Sequence, residues 1–134
     1  MRFAGTAEIP NTVDRLKQLV RNFQDRRSGL VPGGCPLLNT AIDSDDGNPQ
    51  LREKARRALS SWLESLQSII EEGQERGEIR RDIDSSELAT LIISTLEGSL
   101  MLSRLQRNLR GAHDFFSLVL GSFARTLVSR YSSR

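Results

Sequence analysis

The groups in this chain best suited to chemistry are one thiol and one imidazole. Cys35 is the only cysteine and His113 the only histidine among 134 residues. A Cys35–His113 nucleophile pair requires a fold that brings two distant positions together, and nothing else in the chain completes a catalytic constellation. A single histidine excludes a His-rich metal site, and Cys/His zinc spacing is absent. Asp43, Asp45 and Asp46 could hold a cation, but calcium-loop spacing is missing; ending a helix and solvating a turn accounts for all three. Gly33-Gly34 carries neither dinucleotide nor Walker spacing. Cys35 precedes Pro36 at a helix start, where a thiol can be acidified into a redox sensor; the simpler reading is a small buried residue. The sequence therefore predicts no enzyme, no cofactor and no metal.

Binding is the alternative to catalysis. A ligand cavity needs apolar walls and a few polar groups that orient its guest. Candidate inward positions are Leu38, Asn39 and Ile42 on a short helix, Trp62 and Leu66 on a long one, and Thr95 on a third. For each of them plain core is the simpler reading. Asn39 is the most informative, because a polar side chain amid Leu37, Leu38 and Ile42 needs a partner, and backbone serves as well as a ligand.

The elements that must position these residues are helical. Asn11 is a plausible cap for a first helix, with Asp14 in its first turn. Val13, Leu16, Leu19, Val20 and Phe23 form one apolar stripe, and Gly29 is available to stop the helix. Pro32, Gly33 and Gly34 break the chain. Cys35 then stands at an N-cap with Pro36 at N1, and Leu37, Leu38, Ala41 and Ile42 make a short apolar helix. Asn48 and Pro49 repeat that start for a long helix over 49–76, which Gly77 ends. Its apolar set, from Leu51 to Ile70 with Trp62 and Leu66 among them, spans roughly 140°. The other face is charged, giving an outer helix with one buried side. Gly73 inside it suggests fraying or close packing.

The stretch 84–108 behaves differently. Asp84 can cap it and Glu87 stands where a capping-box partner belongs. Leu88, Ala89, Leu91, Ile92, Ile93, Leu96, Leu100, Met101, Leu102 and Leu105 cover most of the circumference. The firmly polar strip is narrow: Thr90, Glu97 and Arg104. A final helix over 112–131 shares this excess. Either both helices run through the middle of the domain, or they build a symmetric dimer, two from each chain forming a four-helix bundle. Candidate interface residues are Ser94, Gly98, Met101, Leu102, Leu105, Phe116, Leu120, Phe123 and Leu127. Ser94, Gly98 and Ser99 are small enough to let backbones approach closely.

Length points to one domain, with residues 1–9 as a lead-in and 10–131 as its body. Aromatics make up 5% and hydrophobic residues 37%, with a formal net charge of +2. Arginines interleave with acids, which suits solvated helix faces better than a nucleic-acid groove. A lone cysteine, no signal-peptide pattern and no run of about 18 apolar residues predict a cytoplasmic protein without a membrane partner.

One resemblance covers nearly the whole chain from about Pro10. Gly34 to Asn39 (GCPLLN), the Gly73 to Ile79 turn (GQERGEI) and Leu96 to Gly98 (LEG) follow one another as in the C-terminal regulatory domain of TetR-family transcriptional repressors, which this sequence resembles. The resemblance implies an all-helical bundle of about five helices, a homodimer built on the last two, and a pocket for a small hydrophobic effector. A full family member begins with a helix-turn-helix domain, and nothing before Pro10 can be one. The chain is then an isolated regulatory domain, a truncated relative or a protein with a misassigned start. DNA is expected as a partner only through a helix-turn-helix domain not present here. A stand-alone interaction protein without a ligand is the alternative.

Overall fold

The computed structural model of the protein describes residues 5–24, 35–43, 47–105, 118 and 121–122. Its architecture is all-helical: α1 (Thr12–Gln24), α2 (Pro36–Asp43), α3 (Pro49–Glu75) and α4 (Ser85–Leu105). Leu118, Gly121 and Ser122 are also helical, within the stretch expected to form the final helix.

Each helix starts where the sequence places a cap. Asn11 Oδ1 accepts the Asp14 amide at 3.1 Å, Asn48 Oδ1 the Leu51 amide at 3.1 Å, and Asp84 Oδ1 the Glu87 amide at 2.9 Å. These bonds satisfy amides that have no partner inside their own helix. Cys35 sits at the start of α2, its carbonyl accepting the Asn39 amide at 3.0 Å. The Cys35 side chain is buried, which favours the packing role over that of an exposed sensor.

At its end α3 closes in a Schellman motif. Gly77 takes φ +71°, the Glu78 amide donates to the Gly73 carbonyl at 2.8 Å, and the Gly77 amide to Gln74 at 3.2 Å. The left-handed conformation at this position is the one that glycine adopts without a Cβ penalty. Gln74 Nε2 then donates to the carbonyls of Arg80 and Ile83, which fixes the turn into α4.

Among the described helices the organising element is α3, since α1, α2 and α4 all pack against it. The sequence left open whether the 84–108 helix runs through the middle of the domain or carries a partner interface, and it read α3 as an outer helix with one buried side; that side is the one its neighbours share. The reason lies in length: 27 residues extend over about 40 Å. One continuous stripe of that length serves several partners at successive levels. The main core joins Val13, Leu16, Leu19 and Val20 of α1, Leu66, Ile69 and Ile70 of α3, Ile79 of the turn, and Leu88, Ala89, Ile92, Ile93 and Leu96 of α4.

Close packing, not fraying, explains Gly73. A Cβ there would stand 2.4 Å from Thr12 Oγ1 and 2.8 Å from Ile79 Cδ1. The residue lets the start of α1 lie directly on the end of α3. Polar bonds hold the same junction. Glu78 accepts from the Thr12 amide at 2.7 Å and from its hydroxyl at 2.5 Å, across 66 positions of sequence. Arg15 pairs with Glu72, and Arg76 donates to the Pro10 carbonyl at 2.7 Å. Within the described part of the lead-in a turn is closed by Ile9 N–H to Thr6 O, and Thr6 is buried.

Candidate functional site

Towards its N-terminal end α3 is less tightly covered. Here α2, α3 and α4 enclose a cavity of about 470 Å³, within the size range of small-molecule sites. Its walls are three helical stripes. Leu37 and Ala41 come from α2; Arg52, Ala55, Arg56, Leu59 and Leu63 from α3; Thr90, Ile93, Ser94 and Glu97 from α4. Residues three and four apart share a helix face, so each helix contributes one face and the cavity follows the helix axes.

Three charged side chains border this largely apolar space. Arg56 is bound bidentately by Glu53, at 2.8 and 2.9 Å, and Arg57 donates to the same carboxylate at 2.8 Å. Bonding from Arg56, then Arg57, holds the Glu53 carboxyl down to about 2. Arg52 is exposed. Glu97 differs from both arginines: its two carboxylate oxygens are shut away from solvent and have no hydrogen-bond partner. Leaving a buried polar group unsatisfied costs about 1–3 kcal/mol, more when it is charged. Such a group in a cavity wall is a standing demand for a donor.

A second feature lies on another face of α4. Leu88, Ala89, Ile92, Ile93, Leu96 and Ser99 turn to the core, whereas Leu91, Met101, Leu102 and Leu105 are exposed, Leu105 to 74%. Stepping 100° per residue puts those four residues and Gly98 within a sector of about 100°. A Cβ at Gly98 would meet nothing within 4 Å. The apolar excess of this helix thus divides into a core face and an open face.

The family model for the tetracyclin repressor-like C-terminal domain matches residues 12–119. The chain belongs to that family. Among solved structures, a TetR transcriptional regulator from Chloroflexus aurantiacus J-10-FL is 38% identical with a TM-score of 0.81, over 90% of this chain and 62% of that one. A TetR-family regulator from Cytophaga hutchinsonii is 30% identical with a TM-score of 0.83, over 95% of this chain and 64% of that one. The HTH-type transcriptional repressor DhaR of Mycobacterium sp. (strain GP1) is 29% identical over 104 residues, 75% of this chain and 52% of that protein. This chain thus spans about half the length of the curated relative and under two thirds of the solved ones. All three relatives are named as regulators or repressors, and the TetR family is one of regulators, not enzymes.

In this TetR-family domain the residues singled out from sequence fall close to the cavity but mostly beside it. Leu66 is buried in the core. Trp62 is partly buried and packs against that core. Ile42 and Asn39 are exposed on α2. Thr95 bonds back to the Leu91 carbonyl at 2.8 Å. The Leu38 side chain lies outside the described residues. Four of the residues that line the cavity are their neighbours: Leu37 beside Leu38, Ala41 beside Ile42, Leu63 beside Trp62, Ser94 beside Thr95. The recurring offset is one position, or one rotation of about 100° per helix.

Of the interface candidates, Met101, Leu102 and Leu105 are on the open face; Ser94 is exposed and borders the cavity. Ser99, grouped with them for its size, instead faces the core and donates to the Thr95 carbonyl. Phe116, Leu120, Phe123 and Leu127 lie outside the described residues, as does His113. Glu97 and Thr90 were missed because a narrow polar strip on a helix reads as a solvated face. The available signal was its setting on a helix otherwise apolar all round. Among the described residues no group of acids, histidines and cysteines could hold a metal, and no helix is long and apolar enough to cross a membrane.

Proposed function

We propose that this chain is the effector-binding and dimerising part of a TetR-like transcriptional repressor. The observation that carries the reading is the cavity of about 470 Å³ between α2, α3 and α4, walled mainly by Leu37, Ala55, Leu59, Leu63 and Ile93. An apolar cavity of this size suits a small hydrophobic effector with a few oriented polar contacts. A homodimer is supported by the open face of α4, since a second copy burying Leu91, Leu102 and Leu105 removes them from water at about 25 cal/mol per Å².

The mechanism is a population shift. An effector held between α2, α3 and α4 favours the arrangement of those helices that binds it better, by no more than its difference in affinity between the two arrangements. In a dimer this alters the relation of the two subunits, and with it the DNA-reading part of the whole regulator. Repression is the role named for the relative from Mycobacterium sp.. A cytoplasmic location goes with this role.

Thermal unfolding against a panel of small apolar compounds tests the effector reading. A specific ligand at 100 times its Kd raises stability by about 2.7 kcal/mol. Leu63→Trp, which fills the cavity, should abolish that gain. If no compound stabilises the native chain, or the gain survives Leu63→Trp, the cavity is not the site. Sedimentation at micromolar concentration tests the dimer, with a monomer as the result that removes it.

A further inference from the structure

Resting on the effector reading above, we propose that Glu97 orients the ligand, and that the ligand is an apolar molecule carrying a protonated amine. Three charged side chains border the cavity, and their circumstances differ. Arg56 is already held by Glu53 through two bonds. Arg52 is exposed, where an arginine is solvated without a protein partner. Glu97 alone has its charged atoms closed off from solvent without a hydrogen-bond partner. A guest that satisfies an already solvated arginine exchanges one set of bonds for another. A guest that satisfies Glu97 adds bonds that neither water nor protein supplies, so the largest gain lies there.

The geometry allows the contact. Glu97 stands one helical turn from Ile93 and two from Thr90, so all three line the same wall of α4. Both oxygens are closed to solvent, so Glu97 meets a donor in the cavity by taking another staggered rotamer about χ1 or χ2, which swings the carboxylate across the wall of α4. Leu59, Leu63 and Leu37 then contact the apolar body.

The test uses the full chain and three probes sharing one body: 4-phenylbutylamine, 4-phenyl-1-butanol and 4-phenylbutyrate, with affinities from isothermal titration. The amine should bind at least about tenfold tighter than the alcohol, the ratio expected of a charge-assisted bond. Glu97→Gln keeps the shape and removes the charge. It should erase the amine preference while leaving alcohol affinity within about threefold, with helicity by circular dichroism unchanged. Glu97→Ala should lose the preference as well. Tighter binding of the carboxylate would assign the ligand class to Arg52 and Arg56 and overturn the proposal. Equal binding of amine and alcohol, or a preference that survives Glu97→Gln, overturns it while the cavity reading stands. Failure of all three probes removes both.

Discussion

From Leu66 to Gly73, α3 buries Leu66, Ile69, Ile70 and Gly73 in a core shared with α1 and α4. From Arg52 to Leu63 the same face of the same helix borders a cavity, and Leu59 is 39% exposed. The spacing of apolar residues does not change between the two halves. What changes is the partner. The C-terminal half meets α1 at a glycine and is closed by Glu78 on Thr12 and Arg15 on Glu72. The N-terminal half meets the short helix α2, eight residues long, and before Leu66 only Ala55 of α3 is buried. An amphipathic helix thus supplies rigid core and binding surface from one pattern, according to how much of it the neighbours fill.

The comparison predicts unequal costs for equal truncations. Ile70 is fully buried, so Ile70→Ala should destabilise the chain by about 2–5 kcal/mol through lost transfer energy and a new void. Leu59→Ala should cost about 1 kcal/mol or less, because the site is already open on one side. Chemical denaturation of both variants measures the gap; equal losses would mean that the halves do not differ in packing.

Gly73→Ala is the next largest effect. Alanine is normally the better helix former by about 1 kcal/mol. Here its Cβ must displace Thr12 Oγ1, held by Glu78, and the Ile79 side chain. Overpacking of this kind costs about 1–3 kcal/mol, so the net change should be destabilising. A higher melting temperature in Gly73→Ala would show that the junction yields and is not sealed.

Glu78 should account for a smaller, pH-dependent share. The hydroxyl and amide of Thr12, in that order of effect, hold its carboxyl below the ordinary value of 4.5. A depressed folded value means that the stabilisation is present above the ordinary carboxylate range and is lost as pH falls through the folded value. Glu78→Gln should cost about 1 kcal/mol near neutrality, the usual worth of a helix cap. It should also flatten the decline in stability below pH 4.5. An unchanged acid profile would remove Glu78 from the clamp.

How much of this was legible in the sequence follows from the range of each interaction. Asn11, Asn48, Asp84 and Gly77 could be read as caps because a cap bonds to amides or carbonyls only a few residues away. The apolar excess of α4 was legible too, because it is a count over one helix. The clamp of Glu78 on Thr12 was not, since no local pattern reports a contact 66 positions away. The cavity was legible only to within one rotation. A stripe spanning roughly 140° of a helix leaves several residues equally inward. Packing against α2 and α4 selects Leu63 over Trp62, and Ser94 over Thr95. Glu97 was hidden by its own chemistry, because a glutamate on a helix is expected in water.

Enlarging a side chain in the open half gives the smallest expected effect on stability and the most selective one on function. Leu59→Phe puts a larger ring into a wall that already borders about 470 Å³ of space. Overpacking strains a core because neighbours cannot move aside; here the added atoms meet room instead. The change in unfolding free energy should therefore stay within about 0.5 kcal/mol, as for substitutions away from close-packed sites. The same ring removes volume that a guest needs, so affinity for any cavity ligand should fall while the fold is kept. A loss of stability comparable to that of Gly73→Ala would mean that the N-terminal half of α3 is packed like the C-terminal half. The distinction between a filled stripe and an open one would then fail at Leu59.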